Sequence, residues 1–168
     1  MKGGDELLLL NPKKYERFHA DAASQELVLK TIDFFEKKGL KKIKEDDQSM
    51  VWYQDFLDFI KKEKIFASFL TPKSYSLESE NGRWDMYRLS EFNEVLGFYG
   101  LCYWYAWQVT ILGLGPIWMG SNEALKKRTA TLLAEGGIFA FGLSEKTHGA
   151  DLYSSEMSLT PLGDGKYV

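Results

Sequence analysis

From Val95 to Leu112 the chain runs eighteen residues without a charge and carries Phe98, Tyr99, Tyr103, Trp104, Tyr105 and Trp107 in that stretch. A segment this long and uncharged either spans a bilayer or lies inside a fold, covered by protein. Gly97, Gly100, the tyrosines, Gln108 and Thr110 make it too polar for a spanning helix, and no basic flank sets an orientation. The reading is therefore a central helix. A chain of 168 residues holds barely enough material to cover such a helix on every side, which predicts that partner surface is missing. Its aromatics read mainly as core. Cys102 reads as a small buried hydrophobe, with no histidine near it in sequence to activate a thiolate.

The stretches before this segment predict helices. Asn11 as N-cap with Pro12 behind it opens a short helix through Phe18. A second begins near Ser24, with Leu27, Val28, Thr31, Ile32 and Phe35 on one face, and stops at Gly39. Lys37, Lys38, Lys41, Lys42 and Lys44 follow as a solvated basic helix end. Asp46 and Asp47 precede a third amphipathic segment with Trp52, Phe56 and Ile60 on one row and Tyr53 and Leu57 beside it. Pro72 to Arg83 reads as a surface loop.

The chemistry concentrates further on. Ile138 to Leu143 is apolar and aromatic and predicts one buried strand, ending at Ser144-Glu145 before a loop with Gly149 and Asp151. A hydroxyl, backbone N–H groups and a flexible glycine thus meet at one strand end. They suit a cofactor with a hydrogen-bonding ring and a phosphate. On pattern alone the same residues also read as a structural β-meander whose polar loop binds nothing. Beyond the loop, Met157, Leu159 and Pro161 alternate with Ser158 and Thr160, and Gly163-Asp164-Gly165 supplies a hairpin turn. Only Lys166, Tyr167 and Val168 follow, against about five or six residues in an ordinary strand. We therefore expect this chain to be a fragment of a longer polypeptide.

Ser144-Glu145-Lys146-Thr147-His148-Gly149-Ala150-Asp151 resembles a motif of the acyl-CoA dehydrogenase family: Thr-Glu-Pro, two variable residues, then Gly-Ser-Asp. The charged helix from Ser121 to the turn at Gly136, the apolar strand after it and the next strand from Met157 look like the same family. The match covers residues 113 to 168, while residues 11 to 112 resemble the family only in helical layout. Ser144 stands for threonine and keeps the hydroxyl, Lys146 stands for proline, and Ala150 stands for serine and loses a hydroxyl.

The resemblance implies a mainly α chain: an N-terminal helical bundle over residues 1–137, followed over residues 138–168 by the first strands of a middle, β-barrel-like domain. It implies FAD, with the backbone of Phe141 and Leu143 and the hydroxyl of Ser144 toward the isoalloxazine and Gly149 and Ala150 toward the pyrophosphate. Ala150 is also the candidate contact to substrate. It implies oxidation of acyl-CoA to trans-2-enoyl-CoA, an electron-transfer flavoprotein or similar acceptor, and a homo-oligomer. The family's base lies in a later helical domain, so no residue is assigned as catalytic. Glu145 matches the motif's own glutamate and not the base. Lys146 and His148 read as exposed loop positions, although either suits a CoA phosphate. The alternative is a non-catalytic helical interaction module that docks its aromatic helix on a partner.

Composition bounds these readings. A net charge of −3 and a pI near 5.5 leave no nucleic-acid footprint. One cysteine excludes an internal disulfide and fits a reducing compartment, and His19 and His148 are too far apart to suggest a metal site. Leu7 to Leu10 is too short for a signal-peptide core, so we expect a cytoplasmic protein.

Overall fold

The structure, a computed structural model, describes residues 19–77 and 82–168. These residues are mainly helical, with seven α-helices and one small two-stranded antiparallel sheet. The helix expected over Asn11 to Phe18 lies outside the described residues.

Helix α1 (Ala22–Lys38) starts where the Asp21 carboxylate accepts the Ser24 N–H at 2.8 Å. It stops where Gly39 takes a φ of 79°, a region that disfavours other residues, and donates its N–H to Phe35 O. Helix α2 (Leu40–Gln48) then carries Lys41, Lys42 and Lys44 of the basic run. Lys37, Lys41, Lys42 and Lys44 are exposed as expected. Lys38 is not: its ammonium lies between Asp46 at 3.1 Å and Asp55 at 2.6 Å, with the Tyr103 ring 5.7 Å away. Burial pushes that ammonium's pKa down, but the two carboxylates win and hold it above the usual lysine value.

Helix α3 (Gln54–Lys62) buries Phe56 and Ile60, and α4 (Ile65–Leu70) buries all its residues but Ser68. Trp52 stays largely exposed because the helix begins two residues after it, and its ring stacks on Tyr53 instead. Asp85 caps α5 (Met86–Tyr99), and Asn122 caps α7 (Glu123–Ala134).

The uncharged stretch is not one helix. It breaks at Gly100, whose N–H closes α5 onto Leu96 O and whose carbonyl accepts the Tyr103 and Trp104 N–H groups in the first turn of α6 (Leu101–Met119). Nor is α6 covered on every side. Tyr103, Ala106, Trp107, Thr110, Gly113 and Leu114 face the core, while Leu101, Tyr105, Leu112 and Met119 are exposed. Among the described residues no helix is long and apolar enough to cross a membrane.

Two aromatic clusters hold the bundle. Phe35 stacks on Tyr99 at 4.5 Å and, with Phe56, meets Tyr103 at 4.9 and 5.0 Å, joining α1, α3, α5 and α6. Trp107 packs on Phe92 at 4.8 Å and on Phe66 at 5.2 Å, bringing in α4. Each such pair is worth about 0.5–1.5 kcal/mol beyond its buried area. Arg88, 1% exposed, lies over the Phe69 ring and donates to Ser24 Oγ at 2.7 Å and Arg83 O at 3.0 Å.

Helix α7 packs on α4 and α6, and the Lys64 ammonium donates to Ala134 O at its C-terminus. The chain then turns at Gly136 and crosses α6. Strands β1 (Pro161–Gly163) and β2 (Lys166–Tyr167) form the expected hairpin, extended by Thr160 and Val168, whose backbones exchange hydrogen bonds at 2.7 and 3.0 Å. No residue from Gly149 to Val168 is buried.

Candidate functional site

The site begins where the last helix hands the chain to the surface of α6. The Thr110 hydroxyl donates to Ala106 O at 2.7 Å and accepts the Phe139 N–H at 3.3 Å. Three residues on, Gly113 lets the crossing backbone come close. A methyl there would fall 2.7 Å from Ala140 O and 2.9 Å from Ala140 N. The lack of a side chain at 113 therefore sets the path of the segment.

That segment corrects the expected buried strand. Ile138 to Leu143 has no neighbouring strand, and its one backbone anchor is the side chain of Thr110. Phe139 and Leu143 are half-buried, while Ile138, Ala140, Phe141 and Gly142 are exposed. From Ala140 to Ser144 no backbone N–H or carbonyl makes a hydrogen bond within the described chain, and the Ser144 hydroxyl is equally open.

Glu145 closes the far side. Its carboxylate accepts Ser155 Oγ at 2.7 Å, Glu156 N–H at 2.9 Å and Met157 N–H at 2.5 Å, and its own N–H donates to His148 O at 2.8 Å. These bonds, led by that from Glu156, hold the carboxyl pKa below its usual value. The sequence reading saw Glu145 only as a motif position. The backbone donors it gathers lie ten or more residues away, so no local pattern discloses them.

Asp151 ties down the middle of the loop. One carboxylate oxygen accepts the Gly149 N–H at 2.8 Å and the other meets His148 Nδ1 at 2.8 Å. Both contacts, His148 foremost, lower its pKa. Gly149 and Ala150 are both exposed.

The five predicted cofactor contacts thus divide. Phe141, Leu143 and Ser144 lie on the open run with unengaged polar groups. Gly149 has its donor already taken by a carboxylate, and Ala150 adds a single backbone N–H. Open polar groups thus lie at Phe141, Leu143 and Ser144, and the Gly149 donor is engaged.

Elsewhere, a cleft of about 390 Å3 opens between α2 and the α5–α6 junction, lined by Leu40, Ile43, Tyr99, Leu101 and Cys102 with Lys44 and Asp47. Burial pushes the Cys102 thiol pKa up, away from thiolate chemistry. Among the described residues no cluster of His, Cys, Asp and Glu could hold a metal ion. No protein-family model, curated protein or solved structure matches this chain.

Proposed function

We propose that this chain is the N-terminal part of an FAD-dependent acyl-CoA dehydrogenase and supplies the surface that faces the flavin ring. The observation that carries the reading is the run from Ala140 to Ser144: mostly exposed, without hydrogen bonds among the described residues, and lying between the Thr110 contact at Phe139 and the contacts of Glu145. In this reading backbone groups of Phe141 and Leu143 and the Ser144 hydroxyl would meet a planar ring with hydrogen-bonding edges; that these groups are unengaged supports it.

Bound there, the flavin would accept a hydride from the acyl β-carbon while a base removes the α-proton, giving the trans-2-enoyl thioester. No residue of this chain is assigned as that base. The acyl-CoA substrate, the electron-transfer flavoprotein acceptor and the homo-oligomer belong to the same proposal. So does the reading of residues 138–168 as the start of a β-barrel-like domain. Support for it is the antiparallel pairing of Pro161–Gly163 with Lys166–Tyr167.

Titration of the chain with FAD, followed by flavin fluorescence, tests the reading. We expect quenching on binding, and a loss of about tenfold or more in affinity for Ser144→Tyr, which fills the ring position. Unchanged affinity in that variant would remove the site assignment.

A second reading has its own observation. Leu101, Tyr105, Leu112 and Met119 expose an apolar side of α6, which suits a helical interaction module. It predicts self-association or partner capture independent of flavin, and loses ground if sedimentation finds a monomer.

A further inference from the structure

We infer that Asp151 makes this loop reject anions, so that a flavin received by the Phe141–Ser144 surface is held through its neutral ring and not through a phosphate at Gly149. The inference rests on the flavin reading and narrows the ligand chemistry this chain recognises.

Three observations support it. A phosphate oxygen seeking the Gly149 N–H finds Asp151 Oδ1 already on that donor at 2.8 Å. Its other oxygen is engaged as well, by His148 Nδ1 at 2.8 Å, so displacing the carboxylate breaks two contacts and not one. The surrounding charge also opposes an anion: between Ser144 and Met157 stand three carboxylates, Glu145, Asp151 and Glu156, against one lysine, Lys146. On an exposed loop two negative groups about 4 Å apart repel by roughly 1 kcal/mol or more, about what one shared hydrogen bond returns, so an anion gains little at Gly149. Ala150, without a hydroxyl, offers only its backbone N–H as compensation. Glycine at 149 therefore does not create a phosphate cradle, despite the motif it belongs to. The ring-binding run lies before the Glu145 clamp, so ring recognition does not depend on the outcome at Gly149.

The test compares riboflavin, FMN and FAD as ligands of the 168-residue chain, with Asp151→Asn and Asp151→Ala beside it. All three flavins should bind the unaltered chain within about threefold of one another. Asp151→Ala frees the Gly149 N–H and should raise FMN and FAD affinity over riboflavin by about tenfold. Asp151→Asn keeps an acceptor on Gly149 while removing the charge, so its gain should be smaller and should isolate the repulsion. A tenfold preference of the unaltered chain for FMN or FAD over riboflavin would overturn the inference while leaving the flavin reading standing. Equal affinities that Asp151→Ala does not alter would also overturn it. Failure of all three flavins to bind would remove the flavin reading and the inference with it.

Discussion

Replacing Gly113 by alanine sets two physical effects against each other, and the structure decides the sign. In the interior of a helix, glycine to alanine alone stabilises by about 1 kcal/mol. At this position the new methyl meets backbone atoms of Ala140 at 2.7 to 3.0 Å, so the segment from Ile138 to Leu143 must lift off α6. Lifting it breaks the Phe139 N–H bond to Thr110, worth about 0.5–1.5 kcal/mol. It also uncovers the half-buried Phe139 side chain, at about 1–2 kcal/mol. The losses outweigh the propensity gain, giving a net destabilisation of roughly 0.5–2.5 kcal/mol. For a chain this size that lowers Tm by about 1–10 °C. Gly97 is the control, since a methyl there meets nothing within 4 Å. Gly97→Ala should raise Tm by a few degrees, about 1–4 °C. Thermal melts by circular dichroism give the sign, and amide exchange should show the Phe139 N–H, which Thr110 holds, losing protection in Gly113→Ala alone. A Gly113→Ala melt that rises as the Gly97→Ala melt does would refute the close approach.

Other perturbations probe separate parts of the fold. Burial pushes the Asp21 pKa up, but Ser24, Arg83 and Arg88 hold it down to about 2, below its unfolded value near 3.8. Its stabilisation is therefore present above pH 4 and lost as pH falls toward 2. Asp21→Asn should cost about 1–2 kcal/mol at pH 7 and flatten that acid limb in urea midpoints measured against pH. Phe35→Ala removes a ring shared by two stacks and two edge contacts, and should cost about 3–5 kcal/mol in denaturant unfolding. Glu145→Ala should speed proteolysis between residues 145 and 157 while leaving the global Tm unchanged, because that loop contributes nothing to the core.

Helical periodicity disclosed the inner face of α1, and Val28, Thr31, Ile32 and Phe35 are buried as the spacing predicts. It placed Phe56 and Ile60 inward on α3 but carried Trp52 with them, because periodicity does not show where a helix begins. The break at Gly100 was visible only as a glycine among aromatics. Nothing local separates a tolerated helical glycine from one that joins two helices. The strand reading of Ile138 to Leu143 failed for a tertiary reason: an apolar run becomes a strand only beside another, and here its neighbour is a helix. The candidate contacts were legible as residue types, but which donors stand open and which are taken was not. The Asp151 bond to Gly149 spans two residues and turns a glycine that looks permissive into one already occupied.

The buried guanidinium of Arg88 has a consequence for the order of assembly. It sits on α5, draws on Ser24 at the start of α1, and covers the Phe69 ring of α4. A partly formed bundle in which α5 meets only one of these helices would strand a cation against apolar surface with part of its acceptor set missing. Such forms lack contacts that the finished bundle gives the cation. One arginine thereby couples three helices into a single cooperative unit and works against the half-assembled forms from which aggregation starts.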